Sequence, residues 1–127
     1  SSTAHEPWKN PYAMSKYSME QLFHINSLGL RFTTAYGPGA RKDMLIPQIL
    51  KGKVNYINVN HSRDFIHVDD IVSAVEKVMH IDLRGVIDIG TGECHKLVDI
   101  VDYFKIRQIY QLWKIIIGQL RRTYINT

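Results

Sequence analysis

Two side chains that could carry acid–base chemistry stand four positions apart near the start of the chain, in NPYAMSKYSMEQL (10–22). Asn10 and Pro11 are residue types typical of a helix start. A helix that begins there carries Tyr12 in its first turn and Lys16 one turn later on the same face. Because a cation beside a phenol favours the phenolate, which can accept a proton, the pair is a candidate acid–base site.

Spacing alone does not identify this site, because Tyr110 and Lys114 repeat it in YQLWK. Context separates the two pairs, since only the first follows an Asn-Pro helix start. We therefore expect Tyr110→Phe to leave the chemistry unchanged. The alternative for Tyr12 and Lys16 is a solvated first turn with a surface lysine.

The composition is that of one small domain, or part of a larger one, with 127 residues of which 45% are hydrophobic. No apolar run approaches the ~20 residues that span a bilayer, and no signal peptide is recognisable, so we expect a cytoplasmic protein without a membrane span. A single cysteine, Cys94, excludes an internal disulfide and a Cys-x-x-Cys metal motif. We expect it to be a small buried residue.

The net charge of +4 is unevenly distributed. Residues 1–104 hold all 12 acidic residues and 11 lysines and arginines, whereas residues 105–127 hold five basic residues and no acid. The basicity therefore belongs to a terminal segment, which argues against a nucleic-acid-binding surface spread over the fold. That segment is a candidate amphipathic helix for a partner or a membrane surface, and the alternative is a terminal helix packed on its own domain.

The hydrophobic pattern predicts strands that alternate with helices, which is typical of an α/β layer fold. Predicted helices cover about 11–27, 43–51 and 96–104, with a further helix opened by Asp69 and Asp70, which we expect to cap it. Predicted strands cover 28–36, 54–59, 63–67 and 85–90.

Five motifs in order resemble the NAD-dependent epimerase/dehydratase family, the extended short-chain dehydrogenases that act on nucleotide sugars. They are SST (1–3), NPYAMSK (10–16), LRFTTAYGPGARKDM (30–44), RDFIHVDDI (63–71) and GVIDIGTGE (85–93). The wording of the third is closest to the branch that epimerises UDP-glucuronate, because that branch shares Thr34 and the Arg-x-Asp-Met that begins at Arg41.

The resemblance implies a catalytic triad of Thr3, Tyr12 and Lys16, with NAD as the cofactor. Hydride removal from a sugar carbon requires loss of the hydroxyl proton at that carbon, so a base must contact the oxygen. Tyr12 is the expected base, Lys16 the ligand of the cofactor ribose and Thr3 the hydroxyl that positions the sugar. Tyr36 is expected to lie beside the cofactor with Tyr12 and Lys16.

The same resemblance implies a substrate site for a nucleotide sugar, with UDP as the expected nucleotide. The short hydroxyl of Thr34 makes room for a C5 carboxylate and can donate to it. Arg63, with Arg41 as a second clamp, is expected to bind the diphosphate, because a guanidinium donates parallel hydrogen bonds to phosphate oxygens. The alternative for Arg63 is a surface ion pair with Asp64. No metal site is expected.

The implied fold is a partial Rossmann-like (extended SDR) α/β fold that lacks the N-terminal dinucleotide-binding strands and retains a small substrate-binding part. We expect residues 1–104 to be the C-terminal portion of such a domain and residues 105–127 to be a basic amphipathic tail of uncertain origin. In GTGECH (90–95), His95 occupies the third glycine position of a dinucleotide-binding loop, so this turn does not supply one. The isolated chain is therefore expected to be inactive.

The leading functional interpretation is an NAD-dependent epimerase that oxidises C4, turns the ketone and reduces it again. A dehydratase or reductase of the same family, a non-catalytic nucleotide-sugar-binding remnant, and an interaction module acting through residues 105–127 remain open. We expect the complete protein to form a homodimer on the helix that bears Tyr12, with Met19 and Phe23 as contacts, unless those two side chains belong to the core.

Overall fold

Short strands alternate with helices in the computed structural model. The structure describes residues 2–54, 57–105 and 107, and for residues 2 and 3 it describes the backbone alone. In chain order the elements are two 3-10 helices (Ser2–His5 and Pro7–Lys9), α1 (Pro11–Gln21), β1 (Leu28–Phe32), β2 (Thr34–Tyr36), α2 (Leu45–Leu50), β3 (Ser62–His67), α3 (Val68–Val78), β4 (Gly85–Ile89) and β5 (Cys94–Lys96). Residues 97–105 are helical. The predicted α/β class is confirmed.

The strands pair between segments that are distant in sequence. β1 lies parallel to β4, in a register that runs from Leu28 opposite Gly85 to Phe32 opposite Ile89. β2 lies parallel to β3, and the second sheet has the order β2-β3-β5. Parallel pairs of this kind need long connections, which here include the helices α2 and α3.

The chain divides into two compact units, Ser1–Ala40 with Arg63–Cys94 and Arg41–Ser62 with His95–Thr127. In the first unit the buried apolar residues are Ala4, Ala13 and Ile66; in the second they are Ile49 and Val101. None of the helices in the described part of the chain is long and apolar enough to cross a bilayer.

Several predicted boundaries were wrong. The helix predicted over 11–27 ends at Gln21, because His24 and Ser27 form a local turn in which the Ser27 amide and hydroxyl both donate to the His24 carbonyl, at 2.9 and 2.6 Å. The strand predicted over 28–36 breaks at Thr33, where the chain passes from one sheet to the other.

Two other differences concern strands. The described residues of the predicted strand 54–59 lie outside any strand, since Asn58 begins a turn in which its carbonyl accepts from the His61 amide. The exposed strand β5 was missed because Cys94–Lys96 shows no apolar alternation that would predict it. The predicted terminal helix over 105–127 falls outside the described residues except for residues 105 and 107. Tyr110 and Lys114 also lie outside the described residues.

A glycine lets α1 approach β1 closely. A Cβ at Gly29 would collide with the ring of Phe23, the second residue after α1 ends. The Phe23 ring therefore packs across β1 at a point where only hydrogen fits. Phe23 is thus engaged within its own chain, although it remains 38% exposed.

A half-buried ion pair also joins α1 to β1. The Arg31 guanidinium donates from Nε and Nη2 to the two carboxylate oxygens of Glu20, at 2.8 and 2.6 Å. The side chains of Glu20 and Arg31 are 7% and 17% exposed. Two parallel charge-assisted bonds fix the relative orientation of the helix and the strand as well as their distance.

The ion pair changes the protonation of both partners. The hydrogen bonds from Arg31, reinforced by its charge, hold the pKa of the Glu20 carboxyl below its ordinary value of 4.5, although burial acts in the opposite direction. The same bonds raise the pKa of Arg31, so its guanidinium stays charged. Because the folded state lowers the pKa of Glu20, its charge stabilises the fold above the unfolded-state pKa, and this stabilisation is lost as the pH falls through the folded-state value.

We expect Glu20→Gln to reduce the free energy of unfolding by up to about 3 kcal/mol near neutral pH, because it leaves Arg31 without its counter-charge. The difference between wild type and variant should shrink as the pH falls below the ordinary carboxyl value of 4.5 and Glu20 in the wild type becomes protonated. Urea unfolding midpoints across this pH range measure the effect. A difference that stays constant with pH would contradict the assignment.

Candidate active site

The predicted helix start at Asn10 is confirmed. The Asn10 side-chain oxygen accepts from the Ala13 amide at 2.8 Å, and Pro11 occupies the first turn. This cap satisfies an amide that would otherwise lack a partner and fixes where the helix begins. Tyr12 therefore lies in the first turn of α1.

The structure brings Tyr12 and Lys16 together. The Lys16 ammonium lies 5.5 Å from the centroid of the Tyr12 ring. Tyr12 is 57% exposed, whereas Lys16 is half-buried. An accessible phenol with a cation one helical turn away can exchange a proton with a bound hydroxyl group, while the ammonium can donate to neighbouring oxygens.

Thr3, the third predicted triad residue, lies in the 3-10 helix Ser2–His5, which packs against α1. The structure describes the backbone of Thr3 but not its side chain. The hydroxyl role of Thr3 stays a prediction.

Thr34 and Tyr36 lie on β2, opposite Phe65 and His67 of β3. Both strands end at the edge where open α/β sheets bind ligands. The Tyr36 ring packs edge-on against the rings of His67 and Phe65, with centroids 5.1 and 6.5 Å apart. These contacts fix the Tyr36 side chain at the end of the strand.

A small depression of about 130 Å³ follows β2. Tyr36, Val68 and the loop from Gly37 to Ala40 are among the residues that line it. Gly37 has a φ of +128°, and a Cβ there would lie 2.9 Å from His67 Nε2 and from Val68 Cγ1. The loop can therefore pass His67 closely only with glycine at this position.

The two predicted phosphate ligands occupy different units. Arg63 is an exposed residue of β3, two positions before the residue that pairs with Thr34. Arg41 belongs to the second unit, where its side chain is 77% exposed and its Nε lies 3.5 Å from Asp43. Their roles as diphosphate ligands stay predictions.

Asp64 holds the turn after β4. Its carboxylate accepts from the amides of Thr91 and Gly92, at 3.1 and 2.9 Å, and from the Thr91 hydroxyl at 2.6 Å. The Arg-Asp motif and the Gly-Thr-Gly turn are therefore in contact, although the sequence separates them by more than 25 residues. This carboxylate serves the architecture of the site.

The cap of α3 differs from the prediction. His67, rather than Asp69 or Asp70, is the N-cap residue, and its Nδ1 accepts from the Asp69 amide at 3.2 Å. The two aspartates lie in the first turn, where their negative charges interact favourably with the positive end of the helix dipole. The prediction that Cys94 is buried was also wrong, since it is exposed.

Sequence reasoning missed the charged cluster behind the candidate site. Besides Glu20, Arg31 contacts His5, whose Nε2 lies 2.9 Å from Arg31 Nη1 and 3.2 Å from an Asp88 oxygen. The available signal was a charged residue inside the apolar strand LGLRF, since a buried charge needs a partner. Within the described residues, no group of three or more His, Cys, Asp or Glu side chains is arranged to hold a metal ion.

Comparison with known proteins places these features in a family. The model of the "NAD dependent epimerase/dehydratase family" matches residues 1–90. Protein CapI of Staphylococcus aureus is 38% identical over 81 residues, which cover 54% of this chain and 24% of CapI. UDP-glucuronate 4-epimerase 3 of Arabidopsis thaliana is 42% identical over 77 residues, which cover 48% of this chain and 18% of that enzyme.

A solved structure agrees with these sequence matches. MoeE5 in complex with UDP-glucuronic acid and NAD is 30% identical, with a TM-score of 0.66 over 75% of this chain and 38% of the MoeE5 chain. The chain thus spans about a quarter or less of the two curated relatives and 38% of MoeE5. The Rossmann-like fold and a family that depends on NAD, both implied by the sequence motifs, are confirmed, and the chain belongs to the NAD-dependent epimerase/dehydratase family.

Proposed function

We propose that the protein containing these residues is a nucleotide-sugar epimerase that inverts C4 of UDP-glucuronate, with Tyr12 as its acid–base group. The observation that carries this proposal is the exposed Tyr12 phenol at the capped start of α1, with the Lys16 ammonium 5.5 Å from its ring. Membership of a family that depends on NAD supplies the chemical context for this pair.

The donor set at this point fits NAD. The Lys16 ammonium has three hydrogen-bond donors for ribose hydroxyls, and the Tyr12 phenol is accessible beside it. When bound, NAD would accept a hydride from C4 of the sugar and return it. Lys16 is the residue that would hold the ribose.

Residues of this chain transfer the proton of the C4 hydroxyl. Tyr12 takes the proton of the C4 hydroxyl as the carbonyl forms, and returns it to the same oxygen when the carbonyl is reduced. The positive charge of Lys16 stabilises the phenolate, which is the form of Tyr12 before the first step and after the second. Thr3, placed on the 3-10 helix that packs against α1, positions the sugar oxygen with its hydroxyl.

Other residues bind the remaining parts of the substrate and the cofactor. Thr34 donates to the C5 carboxylate, and Tyr36, fixed by the rings of Phe65 and His67, borders the cofactor. Arg63 binds the diphosphate through its guanidinium group, while the role of Arg41 stays an expectation from the sequence. The exposure of Arg63 supports this role, because a phosphate ligand must be reachable from solvent.

A dehydratase or reductase is the second candidate. The matched family includes both epimerases and dehydratases, and the triad serves either reaction. A non-catalytic binding remnant and an interaction role for residues 105–127 are further alternatives. The domain boundary between residues 104 and 105 and the cytoplasmic location stay predictions. The tests below use the full-length protein, because this chain spans only part of its relatives.

We expect Tyr12→Phe to lower kcat for UDP-glucuronate by about 10² to 10⁴-fold, because it removes the group that transfers the proton. Binding of UDP-glucuronate, measured by calorimetry, should change by less than about threefold. Tyr17→Phe is the matched control, since Tyr17 is an exposed phenol on the same helix. Wild-type turnover in Tyr12→Phe would refute the mechanism.

Replacing Thr34 with valine, which keeps the shape and removes the hydroxyl, should raise KM for UDP-glucuronate about tenfold or more, because a hydrogen bond to a charged carboxylate is lost. KM for UDP-glucose, which has no carboxylate, should change little. Steady-state kinetics with both sugars measure the difference. Equal or better turnover of UDP-glucose than of UDP-glucuronate by the wild type would contradict the proposed substrate.

We also propose that the complete protein is a homodimer built on α1. Large apolar side chains of this helix other than Tyr12 are exposed: Met14, Tyr17 and Met19. Leu22, directly after it, is 85% exposed. Exposed large apolar side chains favour burial against a partner surface.

Met19→Glu should convert the dimer into a monomer in sedimentation velocity, because a charge would be buried at the interface. Met79→Glu is the matched control, since Met79 is also an exposed methionine, at the end of α3. A wild-type protein that sediments as a monomer, or a Met19→Glu variant that stays dimeric, would exclude this interface.

A further inference from the structure

Arg31 contacts both segments that bear the candidate triad. Its Nε and Nη2 donate to the Glu20 carboxylate on α1, and its Nη1 lies 2.9 Å from the His5 ring on the 3-10 helix Ser2–His5. Glu20 and His5 come from two different elements and converge on one guanidinium, which belongs to a third element, β1.

The two contacted residues lie close in sequence to the candidate catalytic groups. Glu20 is one helical turn after Lys16 in α1, and His5 is two residues after Thr3 in the 3-10 helix. Displacement of either segment would therefore move a catalytic side chain relative to the others.

The sheet provides a fixed base for this arrangement. Arg31 stands opposite Asp88 in the parallel register of β1 and β4. An Asp88 oxygen lies 4.0 Å from Arg31 Nη1, and the other lies 3.2 Å from the His5 ring. Asp88, on the neighbouring strand, thus contacts both the guanidinium and the His5 ring.

We propose that Arg31 is a positioning residue that holds the Thr3 segment and the Tyr12–Lys16 helix in a common register for proton transfer. The catalytic part of this inference rests on the proposed function. An arginine suits the task, because its planar fork places several donors at fixed angles, whereas a lysine ammonium is a single flexible point of charge. A displacement of about 1 Å at a catalytic group can cost about 10²-fold in rate.

The test compares four variants of the full-length protein. Arg31→Lys weakens both contacts, Glu20→Gln weakens the contact to α1, and His5→Ala removes the contact to the 3-10 helix. Arg84→Lys is the matched control, since Arg84 makes an exposed pair with Asp82 at 3.7 Å. Circular dichroism of each variant verifies that it is folded.

The first readout is hydrogen–deuterium exchange, which does not depend on activity. Arg31→Lys should speed exchange in both Ser2–His5 and Pro11–Gln21, because each segment loses its anchor. His5→Ala should affect only the first segment and Glu20→Gln mainly the second, with Arg84→Lys unchanged. Faster exchange in neither segment, or in only one of them, for Arg31→Lys would overturn the shared anchor.

The second readout is steady-state kinetics with UDP-glucuronate. Arg31→Lys should lower kcat by about 10- to 100-fold, with KM changed by less than about threefold, because substrate contacts remain and catalytic alignment is lost. Wild-type kcat in a folded Arg31→Lys variant would overturn the positioning role. If the wild-type protein itself turns over no nucleotide sugar, the proposed function fails, whereas the exchange readout still decides whether Arg31 anchors both segments.

Discussion

The contact between Arg31 and Glu20 is the constraint on which the candidate site depends. A guanidinium inside an otherwise apolar strand is costly unless its donors are satisfied, and here both carboxylate oxygens of Glu20 satisfy it at 2.8 and 2.6 Å. Because Glu20 and Lys16 share one face of α1, the ion pair fixes the helix rotation that presents Lys16 and Tyr12. Phe23 adds an apolar contact over Gly29 at the same junction.

Much of the local structure could be predicted from the sequence, because it depends on neighbouring residues. Asn10 and Pro11 specify the start of α1 through a cap and a preset backbone angle, and both act within three residues of the helix end. The apolar spacing after Asp69 likewise specified α3. The proximity of Tyr12 and Lys16 on this helix could be predicted from their four-residue spacing alone.

The features that could not be predicted depend on contacts between distant segments. Thr33 is as good a strand residue as its neighbours, and the break there arises because β1 pairs with β4 while β2 pairs with β3. Arg31 and His5 are 26 residues apart, so their contact has no local pattern. The bonds from Thr91 and Gly92 to Asp64 likewise require the tertiary fold. The same holds for Tyr36, whose ring packing requires β3.

We propose that the protein carries out an internal redox cycle in which Tyr12 moves the proton and the hydride returns to the carbon that it left. The most direct test incubates UDP-glucuronate with the full-length protein and NAD in deuterated water and follows the sugar by proton NMR. We expect the C4 epimer with hydrogen, not deuterium, at C4. Deuterium at C4, or a dehydrated product in place of the epimer, would rule out this cycle.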